Sequence, residues 1–215
     1  MTTYEHAMVG VTGLMATGLH RKYGWQLVLL AGIAAISPDW DALPWLVNKE
    51  LFELGHRVWG HNIFVALLVG GLIAWTDYQF DWTTRLGNAF KNRFSRMLPT
   101  SSESSITEDS PCSITVLLNV CILAAISHLL ADLVVSGLGG GTEELEGHWE
   151  LQLLWPITDQ GWIFPLVRWG DPMPTILFAI GMLALAKWPQ RNQFLAGLSL
   201  LSVCIYLGVH GALFY

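Results

Sequence analysis

The chain has 215 residues, 53% of them hydrophobic and 13% charged, with a net charge of −6 and a mean hydropathy of +0.45. Soluble domains carry about 25% charge, so a chain this apolar reads as an all-α polytopic membrane bundle of about five or six apolar helices, residues 1–215 forming one domain. The acidic balance leaves no basic stripe to neutralise phosphates, which excludes nucleic acid and leaves the lipid bilayer as the partner. Cys112, Cys121 and Cys204 have no metal-like spacing and read as small core residues.

Tyr4–Leu19 comes first, short for a span, rich in small residues, and with His6 near its start. No basic stretch precedes it, so no cleavable signal peptide is expected. Trp25–Ile36 follows and stops at Ser37-Pro38-Asp39-Trp40-Asp41, because Pro38 disfavours helix at Ser37. A loop is expected from there to His56-Arg57-Val58-Trp59-Gly60-His61. The third apolar run, Val58–Thr76, places His61 in its first turn. Residues 77–113 are polar and basic, a loop with a short amphipathic helix over Trp82–Met97 and a mobile Ser-rich stretch Ser101–Ser110. The fourth run, Ile114–Ser136, is 23 residues long and long enough to cross a bilayer core. Gly137–Gly141 end it, and the loop 137–171 is acidic and Trp-rich. Pro172–Trp188 and Phe194–Tyr215 are the fifth and sixth runs.

His128 and Asp132 sit in the fourth run, four residues apart, hence about 40° apart on one helix face. An ionisable group inside such a span costs on the order of 2.5–3.5 kcal/mol on insertion scales, so two on one face ask for a reason. Mutual hydrogen bonding is one reason, and a shared metal is another. The rest of the chain bears on the choice. If the basic segment 77–111 is cytoplasmic and each run crosses once, the inner segments hold eight of the 11 Lys and Arg residues. His6, Asp39, Asp41, His56, His61, His128 and Asp132 then all fall at or toward the outer ends of their segments. Scattered structural residues have no reason to share one depth.

Three or four His with two or three Asp is a ligand set for a divalent metal such as zinc or manganese, one ion or two. His56 and His61 differ by five positions, about 140° on a regular helix, so both reach one site only if His56 precedes the helix. Taken singly, each piece has a plainer reading: Asp39 and Asp41 as a solvated turn, His56 and His61 as interfacial packing, Arg57 as a lipid-headgroup contact. Arg57 also suits bidentate contact with a substrate phosphate. Asp41 suits a ligand, an orienter of a ligating His, or a general base. His20 reads as an interfacial residue, His210 as a core His, His148 and Glu150 as parts of a solvated acidic loop, and the tryptophans as an interfacial belt.

An N-terminal His, Pro-Asp-x-Asp after an apolar run, His-Arg-x-x-x-His and a later His-x-x-x-Asp resemble the YdjM-type family of inner-membrane, metal-dependent hydrolases. The residues here are His6, Pro38-Asp39-Trp40-Asp41, His56-Arg57-Val58-Trp59-Gly60-His61 and His128-Leu129-Leu130-Ala131-Asp132. Leu153-Leu154-Trp155-Pro156 also resembles a segment of that family, and the likeness covers roughly residues 5–160. Gly60 and Asn62 stand where that family often has Thr and Ser. A more distant similarity is to zinc-dependent phospholipase C. The resemblance implies a multi-pass inner-membrane hydrolase in which metal-activated water attacks a phosphoester or lipid-like substrate at the outer interface. His6, Asp39, His56, His61, His128 and Asp132 would hold metal, with Asp41 and Arg57 in catalytic roles. The alternative is an ion or proton transporter, or a metal-binding membrane protein without catalysis. The lack of ionisable groups in the inner halves of the runs speaks against transport.

Overall fold

The computed structural model describes residues 1–94, 112–137 and 150–214. The Ser-rich stretch, the glycines of 138–141, the acidic residues before Glu150, and His148 therefore lie outside the described residues. Among the described residues no strand forms; a single isolated bridge joins Leu151 and Trp162.

Local chemistry sets the helix ends. Helix α1 (Thr3–Thr17) opens with a capping box between Thr2 and Glu5 and closes at Gly18, whose φ of 76° is left-handed. A short α2 (His20–Tyr23) leads to α3 (Gln26–Ile36). The chain does not loosen into a loop at Pro38, as the sequence suggests. It tightens into a 3-10 helix over Ser37–Leu46, with Pro38 in its first turn where a missing N–H does little harm. A run of that length is uncommon for 3-10 geometry. The stretch before His56 is also helical, α4 (Lys49–Gly55), and not a loop. Helix α5 (Ile63–Phe80) starts later than the apolar run does, because Asn62 caps it by accepting from Val65 N at 2.9 Å. His61 consequently lies in the connection ahead of α5 and not in its first turn.

Helix α6 (Trp82–Phe94) occupies most of the expected amphipathic stretch. Helix α7 (Ile114–Leu133) is capped by Ser113 and ends three residues before the apolar run does. Helices α8 (Pro172–Lys187) and α9 (Asn192–Phe214) complete the chain, α8 with Asp171 as N-cap and Pro172 at its first position.

Helix α5 packs on α7, α7 on α3, α3 on α1, and α1 on α9, which pairs with α8. Small residues let these helices close: a Cβ on Gly10 would stand 2.5 Å from Ala31 O, and one on Gly70 3.0 Å from Cys121 O. Among the described residues four stretches are long and apolar enough to cross a membrane, namely Gln26–Leu46, Ile63–Phe80, Ile114–Leu133 and Pro189–Phe214, and Pro172–Lys187 is a shorter apolar helix. Helix α1, with 15 residues, is about 22 Å long, less than a hydrocarbon core of about 30 Å. It lies among the others with His6, Met8, Gly10, Thr12, Leu14 and Met15 buried. Outward faces remain apolar: Leu68, Leu72 and Trp75 of α5, and Leu201, Ile205 and Val209 of α9, are exposed. Such surfaces suit acyl chains, not water.

Candidate metal centre

One end of the bundle gathers the start of α1, the 3-10 helix, the connection 56–62 and the end of α7. Each brings polar side chains into the interior. His6, Asp41, Arg57, His61, His128 and Asp132 are all buried, His61 and His128 completely.

The geometry is easiest to build from His128. Its Nδ1 lies 2.7 Å from Ala35 O, an acceptor only, so Nδ1 carries the proton and Nε2 presents a lone pair. That carbonyl belongs to the last turn of α3, where carbonyls run out of helical partners. Pro38, three residues on, has no N–H to offer it in a 3-10 turn. The Pro-Asp-x-Asp segment thus does two things: it supplies carboxylates and leaves a carbonyl that fixes the tautomer of His128.

His61 is held the same way from another side. Its Nδ1 lies 2.8 Å from Asp41 Oδ2. Its Nε2 then faces His128 Nε2 at 3.0 Å, Asp132 Oδ2 at 3.1 Å and Asp39 Oδ1 at 3.6 Å. His128 Nε2 is 3.4 Å from the same Asp39 oxygen. His6 stacks on His128 with ring centroids 3.6 Å apart and brings Nε2 to 3.1 Å from Asp132 Oδ1. That approach is too oblique to make a hydrogen bond, and both ring nitrogens of His6 are buried without one. Lone pairs of three imidazoles and two carboxylates therefore converge on one volume.

Such a cluster calls for positive charge, part of which the Met1 amino group and Arg57 beside Asp132 already supply. A proton meets part of the need: burial opposes charge on His61, but Asp132, Asp39 and Asp41 outweigh it and hold its pKa well above the ordinary imidazole value. One proton on Nε2 directs itself at one acceptor, however, and leaves the other lone pairs facing each other. A metal ion is attracted to all of them at once. Among the described residues three overlapping ligand groups have donor atoms within 4.8 Å of one another: His6, Asp39 and His128; His61, His128 and Asp132; and Asp41, His56 and His61. The residues fit a divalent ion, and the overlap allows two.

Asp41 stands apart from the others. Its carboxylate accepts from Arg57 N at 3.2 Å and Gly60 N at 2.9 Å, and meets His56 Nδ1 at 3.0 Å and His61 Nδ1 at 2.8 Å. With both oxygens so engaged, it orients the imidazoles. His56 joins the cluster through Asp41, and with His61 it precedes α5, which removes the 140° problem. Gly60 is required where it is, since a Cβ there would lie 2.0 Å from Pro38 O. Thr at that position would not fit this backbone. Asn62 donates to Val58 O at 2.9 Å and Trp59 O at 3.1 Å, tying down the connection that carries His61.

Arg57 is not a headgroup contact. It is 4% exposed, its φ is 66°, and Nη2 lies 3.7 Å from Asp132 Oδ2. A non-Gly residue held at positive φ is backbone strain of the kind that gathers at functional sites. The Met1 amino group also pairs with Asp132, and Thr3 Oγ1 lies 3.2 Å from Asp39 Oδ2. The cluster opens past the side chains of Asp39, 21% exposed, and His56, 18% exposed. Leu153 O accepts from Ile63 N, the first amide of α5, at 3.0 Å.

Sequence reasoning missed Ala35 O and Thr3, and noted Gly60 only as a departure from the family pattern. Only Ala35 left a signal, the proline three residues downstream. His20 is buried at the other end of α1, beside Trp25, and His210 Nδ1 bonds Leu166 O at 2.7 Å; neither joins the cluster.

The sequence model of the YdjM inner membrane protein family matches residues 1–213, well beyond the 5–160 expected from the motifs. No curated protein and no solved structure matches the chain.

Proposed function

The chain belongs to the YdjM inner membrane protein family and is a multi-pass inner-membrane protein, and from that premise we propose that it is a metal-dependent hydrolase of a phosphoester in a lipid-like substrate, acting at the outer interface. The observation that carries the reading is the pair of Nε2 atoms of His61 and His128, 3.0 Å apart, each with its Nδ1 already committed, and ringed by Asp39, Asp132 and His6. Zinc or manganese suits this mixed imidazole and carboxylate set. A bound divalent ion supplies Lewis-acid polarisation and makes water a competent nucleophile at neutral pH.

The chain's own residues supply the rest. His6, Asp39, His61, His128 and Asp132 hold the metal, and Asp41 fixes the rings of His61 and His56. Arg57, buried beside Asp132, contacts a phosphoryl oxygen and balances charge that builds there. His56, at the open edge, delivers the proton that the leaving oxygen needs. Water thus adds its oxygen to phosphorus, the ester P–O bond breaks, and the proton ends on the departing alcohol.

A lipid-like substrate is supported by a cavity of about 300 Å³ lined by Val9, Gly13, Thr17, Val120, Ala124 and Ser127. Val9 is three residues beyond His6 and Ser127 adjoins His128, so the cavity begins about 4.5 Å down α1 from the ligands. Its lining is apolar and lies at bilayer depth, where an acyl chain is the natural occupant.

The test is elemental analysis of the purified, detergent-solubilised protein beside His128→Ala, followed by assays with phosphoesters and phospholipids. One or two equivalents of metal in the native chain, lost in the variant together with phosphoester cleavage, is the expected result. A chain that binds no metal after reconstitution refutes the reading and turns attention to an ion or proton path.

A further inference from the structure

The end of the bundle opposite the cluster holds a second feature with a ligand's shape. Where α1 and α2 meet the start of α9, a groove of about 810 Å³ is lined by Arg21, Arg191, Gln193, Phe194, Leu198 and Leu201, with Ala16 and Gly197 at its floor. We propose that this groove binds one membrane phospholipid with an anionic headgroup.

The lining divides into two parts that match the two parts of such a lipid. Arg21 and Arg191 sit together at the end of the span Pro189–Phe214, at the level where headgroups lie. Arg21 is held in place, since Nη2 donates to Asn192 Oδ1 at 3.1 Å. Asn192 is the first residue of α9, so the positive end of a 23-residue helix dipole adds to the two guanidiniums. The described lining residues include no carboxylate to cancel this charge. From there Phe194, Leu198 and Leu201 recur at positions i, i+4 and i+7 of α9, one apolar stripe that runs about 10 Å into the bilayer. All three are at least 49% exposed.

The groove is built, not incidental. Gln193 Nε2 donates to Ala16 O at 3.1 Å and ties the start of α9 to the end of α1. Gly18, at φ 76°, turns the chain directly against that side chain, and a Cβ there would meet Gln193 Nε2 at 2.9 Å. Two guanidiniums from segments far apart in sequence thus lie on one side of one apolar strip, that of Arg21 held by Asn192. Guanidinium pairs phosphate bidentately, which an annular lysine does not. Lys22 and Lys187 stand at the same end outside the lining and provide the control.

The whole chain, purified in detergent, is exposed to mixed micelles of phosphatidylglycerol or phosphatidylcholine with matched acyl chains, and retained lipid is read by native mass spectrometry. The native chain should retain one phosphatidylglycerol with a preference of roughly tenfold to thirtyfold over phosphatidylcholine. Arg21→Gln with Arg191→Gln should abolish that preference, while Lys22→Gln with Lys187→Gln keeps it. Leu198→Gln, which leaves both guanidiniums, should lower retention of both lipids. Equal retention of the two lipids by the native chain, or a preference that survives the double arginine variant, overturns the proposal. Metal content, measured on the same samples, reports separately on the far end of the bundle.

Discussion

Each end of this bundle buries a carboxylate inside an apolar helix, and the two ends treat it in opposite ways. At the α5–α6 junction, Asp77 is 8% exposed and accepts from Thr83 N at 3.0 Å and Thr83 Oγ1 at 2.7 Å. Its partner is six residues away, and the pair shapes a corner beside a cavity of about 440 Å³. At the other end, Asp132 is 3% exposed and meets the Met1 amino group, His6, His61, His128 and Arg57, residues drawn from along the chain. Asp77 has donors enough. Around Asp132, lone pairs of several imidazoles and of Asp39 converge beside the Met1 amino group and Arg57. A buried acid in a membrane helix is therefore no site in itself; the convergence of lone pairs makes one. A cavity of that size lies at the satisfied end, so a cavity alone does not mark a site.

The hardest test removes one acid from each end. Asp132→Ala should lower metal affinity by more than about 100-fold, since even outer partners of ligands cost 10–100-fold. Asp77→Asn should leave metal content unchanged and lower stability by about 1–3 kcal/mol, the cost of a weakened bond to a buried group. Metal titration and thermal unfolding of both variants separate these outcomes. Metal loss in Asp77→Asn would erase the distinction between the two ends.

Asp41→Asn asks how far the convergence depends on orientation. An amide cannot accept from His56, His61, Arg57 N and Gly60 N as a carboxylate does, so a ring is expected to rotate and Nε2 to leave the centre. Metal affinity should fall about 10–100-fold, with the fold retained by circular dichroism. Unchanged affinity would remove Asp41 from the supporting role.

Gly13→Leu probes the region between the ends. A Cβ at Gly13 meets nothing within 4 Å, so the side chain enters the apolar cavity below His6. Binding of dodecyl phosphate, followed by isothermal titration, should weaken by roughly tenfold, the loss of about two buried methylenes. Ethyl phosphate binding and metal content should hold. Equal losses for the two phosphates would show damage to the cluster and not to an acyl groove.

Much of this was legible in the sequence because membrane physics writes in long runs. Apolar runs located α3, α5, α7, α8 and α9 to within a few residues, and His128 with Asp132 declared themselves by helical spacing. The positive-inside bias grouped the other polar residues at one depth, where the fold indeed brings them together. The rest was hidden for identifiable reasons. Lys49–Gly55 has only seven residues, so α4 is too short to show a full apolar period. A proline after a helix announces a break but not that the break continues as 3-10. The roles of Ala35 O and of the Arg57 and Gly60 amides belong to the backbone, which every residue has and no side-chain pattern reports. The division between ligand and orienter, as with Asp41, depends on which oxygen faces which nitrogen, and only distances decide that.

The smallest effect tests the comparison most finely, because it concerns a polar residue at the cluster end that behaves like the opposite end. Asn62 is fully buried one position from His61, yet its bonds are all local: it accepts from Val65 N and donates to Val58 O and Trp59 O. By sequence distance it belongs to the cluster; by its satisfied donors and acceptors it belongs with Asp77. Asn62→Ala should therefore cost about 1 kcal/mol of stability, the ordinary value of an N-cap, with metal stoichiometry intact. If metal and stability fall together in this variant, the connection 56–62 and the cluster are one cooperative unit. If only stability falls, proximity to a ligand is not membership in its site, and the convergence of lone pairs is the criterion that holds.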